Sequence, residues 1–263
     1  MKIIISPAKK MNVDTDTLAC RSTPVFREQT EQLLAWMRQL TFEQAKELWK
    51  CNDRIAEQNY RRFQEMNLNR NLTPAVIAYE GIQYQYMAPA VFGGSETDYI
   101  QEHLRILSGF YGVLKPFDGV VPYRLEMQAK ASEEGDLYKF WGDRLYREAA
   151  YGEDSAQEGA LNRKTGKKGG FILNLASKEY SRCVEKYLTP EDTFLTVVFG
   201  ELTDGKVKQK GTFAKMARGE MVRYLAENAV ENPEKIKEFD RLGYRFDQGL
   251  STETEYIFLK QEV

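Results

Sequence analysis

Histidine is almost missing from this chain: His103 is the only one among 263 residues. A zinc or iron centre built from histidines is thereby excluded, as is a mechanism that needs two imidazoles. No metal or other cofactor is implied. Cysteine is sparse as well. Cys20, Cys51 and Cys183 are far apart and odd in number, which gives neither metal-ligand spacing nor a disulfide framework. They read as reduced structural thiols, with redox sensing as the alternative. No apolar run approaches the roughly 20 residues of a membrane helix. The opening MKIIISPAKK is too short in apolar residues for a signal-peptide core of about 7–15. A cytoplasmic protein without a membrane partner is therefore expected. Also missing are a phosphate-binding GxxxxGK[ST] loop, a dinucleotide fingerprint and a nucleophile elbow. Whether the chain is an enzyme stays open, with a non-catalytic role favoured. Positive charge has no excess: 37 Lys and Arg face 39 Asp and Glu, a net charge of −2. Nucleic acid could be held only by a local basic patch on a slightly acidic body.

The pattern along the chain predicts one mixed α/β (α+β) domain spanning 1–263. Lys2 to Ser6 is a β-branched run of strand type. Arg27 to Leu40 carries a helical apolar stripe. Thr41 with Gln44 forms a capping box for a helix to about Lys50, and Ile55 to Met66 is helical again. Ala75 to Tyr79 (AVIAY), after Pro74, is a strand candidate. Ser95 is expected to cap a helix that runs through about Ser108, with His103 near the start of its pattern HLRILSGFYG in a surface or capping role. Leu137 to Ala150 is amphipathic, and 152–170 is a polar, basic loop. Phe171 begins a strand. Thr193 to Phe199 and Lys206 to Lys210 flank Asp204-Gly205, a hairpin signal. Phe213 to Val230 is a long helix, and Tyr244 to Asp247 and Glu255 to Lys260 are closing strands. No linker parts the chain into domains.

Four stretches carry chemistry. ISPAKKM places Ser6, Lys9 and Lys10 in a loop after the first strand, where backbone is exposed yet rigidly held. In YRLEM, Tyr123, Arg124 and Glu126 follow the turn-forming Pro116 and Pro122, and Arg124 and Glu126 on alternate positions suit an ion pair. NLASKEY crowds Asn174, Ser177, Glu179 and Tyr180 at a strand end, with Ser177 placed to cap a helix from Lys178. Lys206, Lys208 and Lys210 alternate along one face, and Lys215 and Arg218 share a helix face in KMARGEMVRY. A solvated charged surface is the alternative for each.

These stretches, with the run SGFYGVLKPFDGVVPYRLEM at Ser108 to Met127, resemble the YaaA family of bacterial peroxide stress proteins in order and spacing. The resemblance implies an unusual single-domain fold with a central mixed sheet, surrounding helices and a basic cleft. It also implies DNA binding by a helix-hairpin-helix motif and a link to lower free iron. The pattern places that hairpin at Phe42 to Phe63, with Lys50 and Arg54 flanking its turn, although the turn has no glycine and Asp53 would repel phosphate unless it only caps. The basic loop with Arg163, Lys164, Lys167 and Lys168 departs from the family pattern and reads as an insertion.

The expected function is DNA binding in the hydrogen peroxide response. Duplex or branched DNA would be held by backbone contacts, to protect it or aid its repair. The candidate contacts are Ser6, Lys9, Lys10, Lys50, Arg54, Tyr123, Arg124, Asn174, Tyr180, Lys208, Lys215 and Arg218. If about four to six phosphates are neutralised, the log–log salt slope is near −4 to −5. The alternative is an enzyme acting on a nucleotide or damaged nucleobase in a pocket lined by Lys, Arg and Tyr, with a lysine as nucleophile or base.

Overall fold

In the computed structural model of the chain, residues 1–130, 135–152 and 169–261 are described. The basic segment with Arg163, Lys164, Lys167 and Lys168 lies outside them. The centre is an eight-stranded sheet. Strand β1 (Lys2–Ile5) is flanked in parallel by β5 (Leu104–Ser108) and β8 (Phe171–Asn174). β9 (Thr193–Thr203) runs parallel to β8, and β12 (Glu255–Lys260) parallel to β9. β6 (Gly112–Leu114), β10 (Lys206–Lys208) and β11 (Tyr244–Phe246) add antiparallel to β5, β9 and β12. Two short pairs lie outside it: β2 (Lys10–Met11) with β4 (Tyr79–Glu80), and β3 (Thr73–Pro74) with β7 (Gly119–Val120).

Numbered in chain order, the five parallel strands β1, β5, β8, β9 and β12 stand side by side as 2-1-3-4-5. The chain fills one side of β1 first and then crosses to the other. The order therefore reverses between β1 and β8. Loops leaving those two strand ends diverge and leave a crevice, the usual place for a ligand in an open α/β sheet.

Helices cover the sheet in two groups. The long helix α10 (Gly211–Glu227) packs on α5 (Ile82–Met87) and α6 (Gly94–His103), and α6 on β1 and β5. A separate group joins α8 (Arg144–Tyr151) to α9 (Lys178–Glu185), with α8 against β1 and β8. Successive strand side chains point to opposite faces, yet Ile3, Ile4 and Ile5 are all fully buried. Both faces of β1 are thus covered, as parallel strands require. Helices α1 (Arg27–Gln39), α2 (Phe42–Trp49) and α3 (Asp53–Glu65) form a third group, which shares the core through Leu33, Met37 and Phe63, the last with its ring edge-on to Phe110 at 5.4 Å.

Several sequence expectations need correction. AVIAY is not a strand: Ala75–Ala78 is a short helix, α4, and only Tyr79 enters β4. Pro74 already pairs with Gly119, and the Ala75 and Val76 amides bond the Asp118 and Pro116 carbonyls, which turns the chain inward. The helix expected through Ser108 stops at His103, and LRILS becomes β5. Its short, Leu- and Ile-rich run fits a doubly covered strand as well as a helix, and sheet pairing on both sides decides it. His103 therefore closes α6, its Nδ1 2.8 Å from the Met1 carbonyl oxygen and its ring against Tyr99. Gly93, not Ser95, occupies the cap position of α6, and the Ser95 hydroxyl bonds Glu96. The amphipathic run from Leu137 breaks at Gly142 into α7 (Leu137–Trp141) and α8.

Candidate functional site

At the crevice, β1 ends in Ser6 and β8 ends in Leu175-Ala176-Ser177. The two loops are tied together. The Ser177 amide donates to Ser6 Oγ at 2.8 Å, and that hydroxyl donates to Ser177 Oγ at 3.1 Å. Ser177 holds the cap position of α9 as its sequence suggests, but no side-chain cap bond forms because the hydroxyl is turned to Ser6. Asn174 braces the same loop, accepting from the Ala176 amide at 2.9 Å and donating to Thr196 Oγ1 at 3.3 Å. Its amide is thus occupied in shaping the loop, a positioning role rather than the contact expected of it.

The ionic part comes from two more motifs. Glu126 Oε1 accepts Lys9 Nζ at 3.0 Å and Arg124 Nη2 at 3.1 Å. Arg124 and Glu126 are largely buried, whereas Lys9 is exposed. Glu179, in the first turn of α9, has a raised carboxyl pKa, first through burial and partly through the Glu126 charge, with Lys9 opposing. Its two environments differ in kind: Glu126 is held between cations, and Glu179 is in a place that favours its proton.

Beneath lies a chain of hydroxyls. Ser108 Oγ accepts the amides of Phe110 at 3.2 Å and Tyr111 at 2.9 Å. With both lone pairs so used, its own hydrogen goes to Tyr123 Oη, 2.6 Å away, and the Tyr123 and Tyr79 hydroxyls share a further hydrogen bond of 2.8 Å. Burial pushes the Tyr123 phenol up to about 12 and those of Tyr79, Tyr84 and Tyr180 well above their ordinary range. These groups stay protonated at neutral pH and are not bases. Tyr84 Oη donates to the Ser6 carbonyl at 3.0 Å, so α5 is locked to the first loop. Tyr79 and Tyr84 were invisible as site residues while AVIAY read as a strand.

The remaining cations divide by partner. Lys10 pairs with Glu80 at 2.7 Å, Lys208 with Asp204 at 3.5 Å and Lys210 with Glu201 at 2.7 Å. Two of the three lysines in the row after β9 thus meet carboxylates of their own hairpin, whose turn residues Asp204 and Gly205 have φ of 52° and 71°. Lys50, Arg54, Lys215 and Arg218 meet no carboxylate among the described residues. One continuous basic strip across all the expected residues is therefore not what folding assembles. Ser6, Lys9, Tyr123, Arg124, Asn174 and Tyr180 gather at the crevice, Lys50 and Arg54 stand at the helical hairpin, and Lys10 and Lys208 sit in surface pairs.

The hairpin itself forms as the sequence indicates. Thr41 and Gln44 make a reciprocal capping box, Lys50 ends α2 in the left-handed region at φ 46°, and Asn52 caps α3 by accepting the Ile55 amide at 3.0 Å. Asp53 is ion-paired to Lys46, which removes much of its repulsion for a phosphate. Arg54, Arg61 and Arg62 line a shallow hollow of about 350 Å³ along α3, with Glu57 and Glu65 on the same face.

Peroxide chemistry is disfavoured at Cys183 and Cys20. Burial raises the Cys183 thiol to about 12, and burial together with Asp118 raises Cys20, so little thiolate is present at either. Among the described residues no helix is long and apolar enough to cross a membrane.

Comparison with known proteins agrees with this arrangement of motifs. A family model described as "Peroxide stress protein YaaA" matches residues 1–250. A UPF0246 protein of Agathobacter rectalis is 55% identical, with 98% of each chain covered. One from Lachnoclostridium phytofermentans is 52% identical over 100% of this chain and 97% of its own. One from Pediococcus pentosaceus is 50% identical over 100% and 99%.

Proposed function

Because the chain belongs to the YaaA peroxide stress family, we propose that it serves the peroxide response by binding DNA through backbone contacts at the α2–α3 hairpin. The observation that carries this is the hairpin turn. Lys50 and Arg54 bracket the Asn52-capped start of α3, where helix amides and dipole favour an anion, and Lys46 offsets Asp53, the carboxylate at the turn itself. Contacts of this kind position a phosphate backbone without reading bases. The family-linked fall in free iron is, on this reading, indirect, since a chain with one histidine has little to build an iron store from.

Carboxylates that already hold Lys9, Lys10, Lys208 and Lys210 lower the number of phosphates expected. Lys50, Arg54 and Arg61 would neutralise about three, giving a salt slope near −2 to −3. Duplex titrations at several salt concentrations test this. A flat response, or an unchanged slope in Arg54→Glu, would reject the hairpin as the contact.

A second reading, an enzyme acting on a nucleotide or damaged base, is favoured by the convergence of Lys9, Arg124, Glu126 and Glu179 where the strand order reverses. A screen of modified nucleosides and nucleotides for turnover, with Glu179→Gln as the control, tests it.

A further inference from the structure

The side chain hardest to explain as structure is Arg218. It is half-buried on α10, its Nε is sealed from solvent, and no hydrogen bond or ion pair from any described residue meets its guanidinium. A half-buried charge with one sealed and unbonded N–H is costly, and arginine cannot shed its proton to escape that cost. A second unmatched donor lies close by. Gln83, on the facing helix α5, is buried with its side-chain amide nitrogen unbonded. The two helices touch at Gly219. A Cβ there would overlap the Gln83 carbonyl oxygen and stand 2.9 Å from the Met87 amide nitrogen. Only glycine lets α10 and α5 come this near.

Helix α5 is in turn fixed to the crevice. Tyr84 bonds the Ser6 carbonyl, and a Cβ on Gly81 would stand 3.1 Å from that of Ala8. Arg218 and Gln83 thus belong to the wall beside the loop from Ser6 to Lys9. Lys215 lies one turn before Arg218 on α10, exposed, and also without a carboxylate among the described residues. Two uncompensated positive charges match a phosphate monoester, with about −1.5 to −2 charges, better than a singly charged carboxylate. The guanidinium fork and an amide donor suit its oxygens.

We propose that Arg218, Gln83 and Lys215 form a binding site for the phosphate monoester of a small molecule, set beside the crevice at the end of β1. The shielding of Arg218 favours a small ligand over a phosphate inside a duplex. The site rests on the crevice reading but needs no turnover there, so binding without turnover upholds it while removing the enzyme.

Thermal unfolding and calorimetry of the full chain with AMP, adenosine, inorganic phosphate, acetate and a DNA duplex test the site. AMP and inorganic phosphate at millimolar concentration should raise the Tm, and adenosine and acetate should not. Arg218→Met should lose roughly 10- to 100-fold in AMP affinity. Its ligand-free Tm should hold or rise, because an unpartnered charge is replaced by an apolar chain of similar length. Gln83→Leu should weaken AMP about tenfold. Lys215→Met, an exposed change, should weaken it several-fold with the Tm unmoved. No response to either phosphate probe would overturn the site. So would unchanged AMP affinity in Arg218→Met, or a lower ligand-free Tm or failed folding of that variant, since each would give Arg218 a structural partner. A response to duplex alone would overturn the small-molecule assignment.

Discussion

Single residues set the tolerances of this molecule. Asp118 is almost fully buried, accepting Ser22 Oγ at 2.6 Å and the Lys115 amide at 2.8 Å. Burial pushes its carboxyl up to about 6, against an ordinary 3.8. Between those values the folded protein keeps a proton that the unfolded chain has released. Stability from this group is therefore full below about pH 4 and is lost as pH rises through about 6. Asp118→Asn keeps an acceptor oxygen but has no charge to desolvate. Urea midpoints should show wild type losing roughly 2–3 kcal/mol between about pH 4 and 7 relative to the variant. A constant difference across that range would mean Asp118 does not titrate there. Gly219 sets a steric limit. Gly219→Ala must push α5 from α10, costing about 1–3 kcal/mol, and it should lower the Tm. The same shift would loosen Gln83 and Tyr84 beside Ser6, so phosphate binding should fall with stability in this variant.

Elements were legible in the sequence where their signals are local. The Thr41 capping box, the Asp204-Gly205 hairpin and the stripe of α1 depend on neighbours within a few positions, and each forms at the expected place. LRILS and AVIAY failed because their state depends on distant partners: β1 and β6 for the first, Pro116 and Asp118 for the second. The crevice was half visible. Ser6, Lys9, Arg124 and Tyr180 could be named from motifs, but the Tyr79 and Tyr84 contacts and the orphaned Gln83 amide exist only once α5 is docked. The α2–α3 turn gives a prediction at this scale. Lys50 adopts a left-handed conformation that glycine takes at no steric cost. Lys50→Gly should stabilise the protein by roughly 0.5–1 kcal/mol while reducing the DNA salt slope by about one unit. Stability gained with the slope unchanged would show that Lys50 is only a turn residue.

Across the whole molecule, charge is segregated by what answers it. Lys208 and Lys210 are answered by their own hairpin's carboxylates, and Lys9 and Arg124 share Glu126. Among the described residues, positive charge without a paired carboxylate is found at the face of the α2–α3 hairpin, on Lys50 and Arg54, and on the Lys215–Arg218 turn of α10. They lie on different helical groups, the hairpin with α1 and the α10 turn with α5 and α6. A body of net charge −2 would repel a polyanion except at such places, so each should act locally and independently. Reversing two of the three hairpin arginines in Arg54→Glu/Arg61→Glu should abolish duplex binding at moderate salt and leave the AMP-induced Tm shift intact. Arg218→Met should do the converse, keeping the duplex salt slope while losing the AMP response. If either variant disables both ligands, the two regions form one continuous surface, and the charge pairs that divide them do not govern binding.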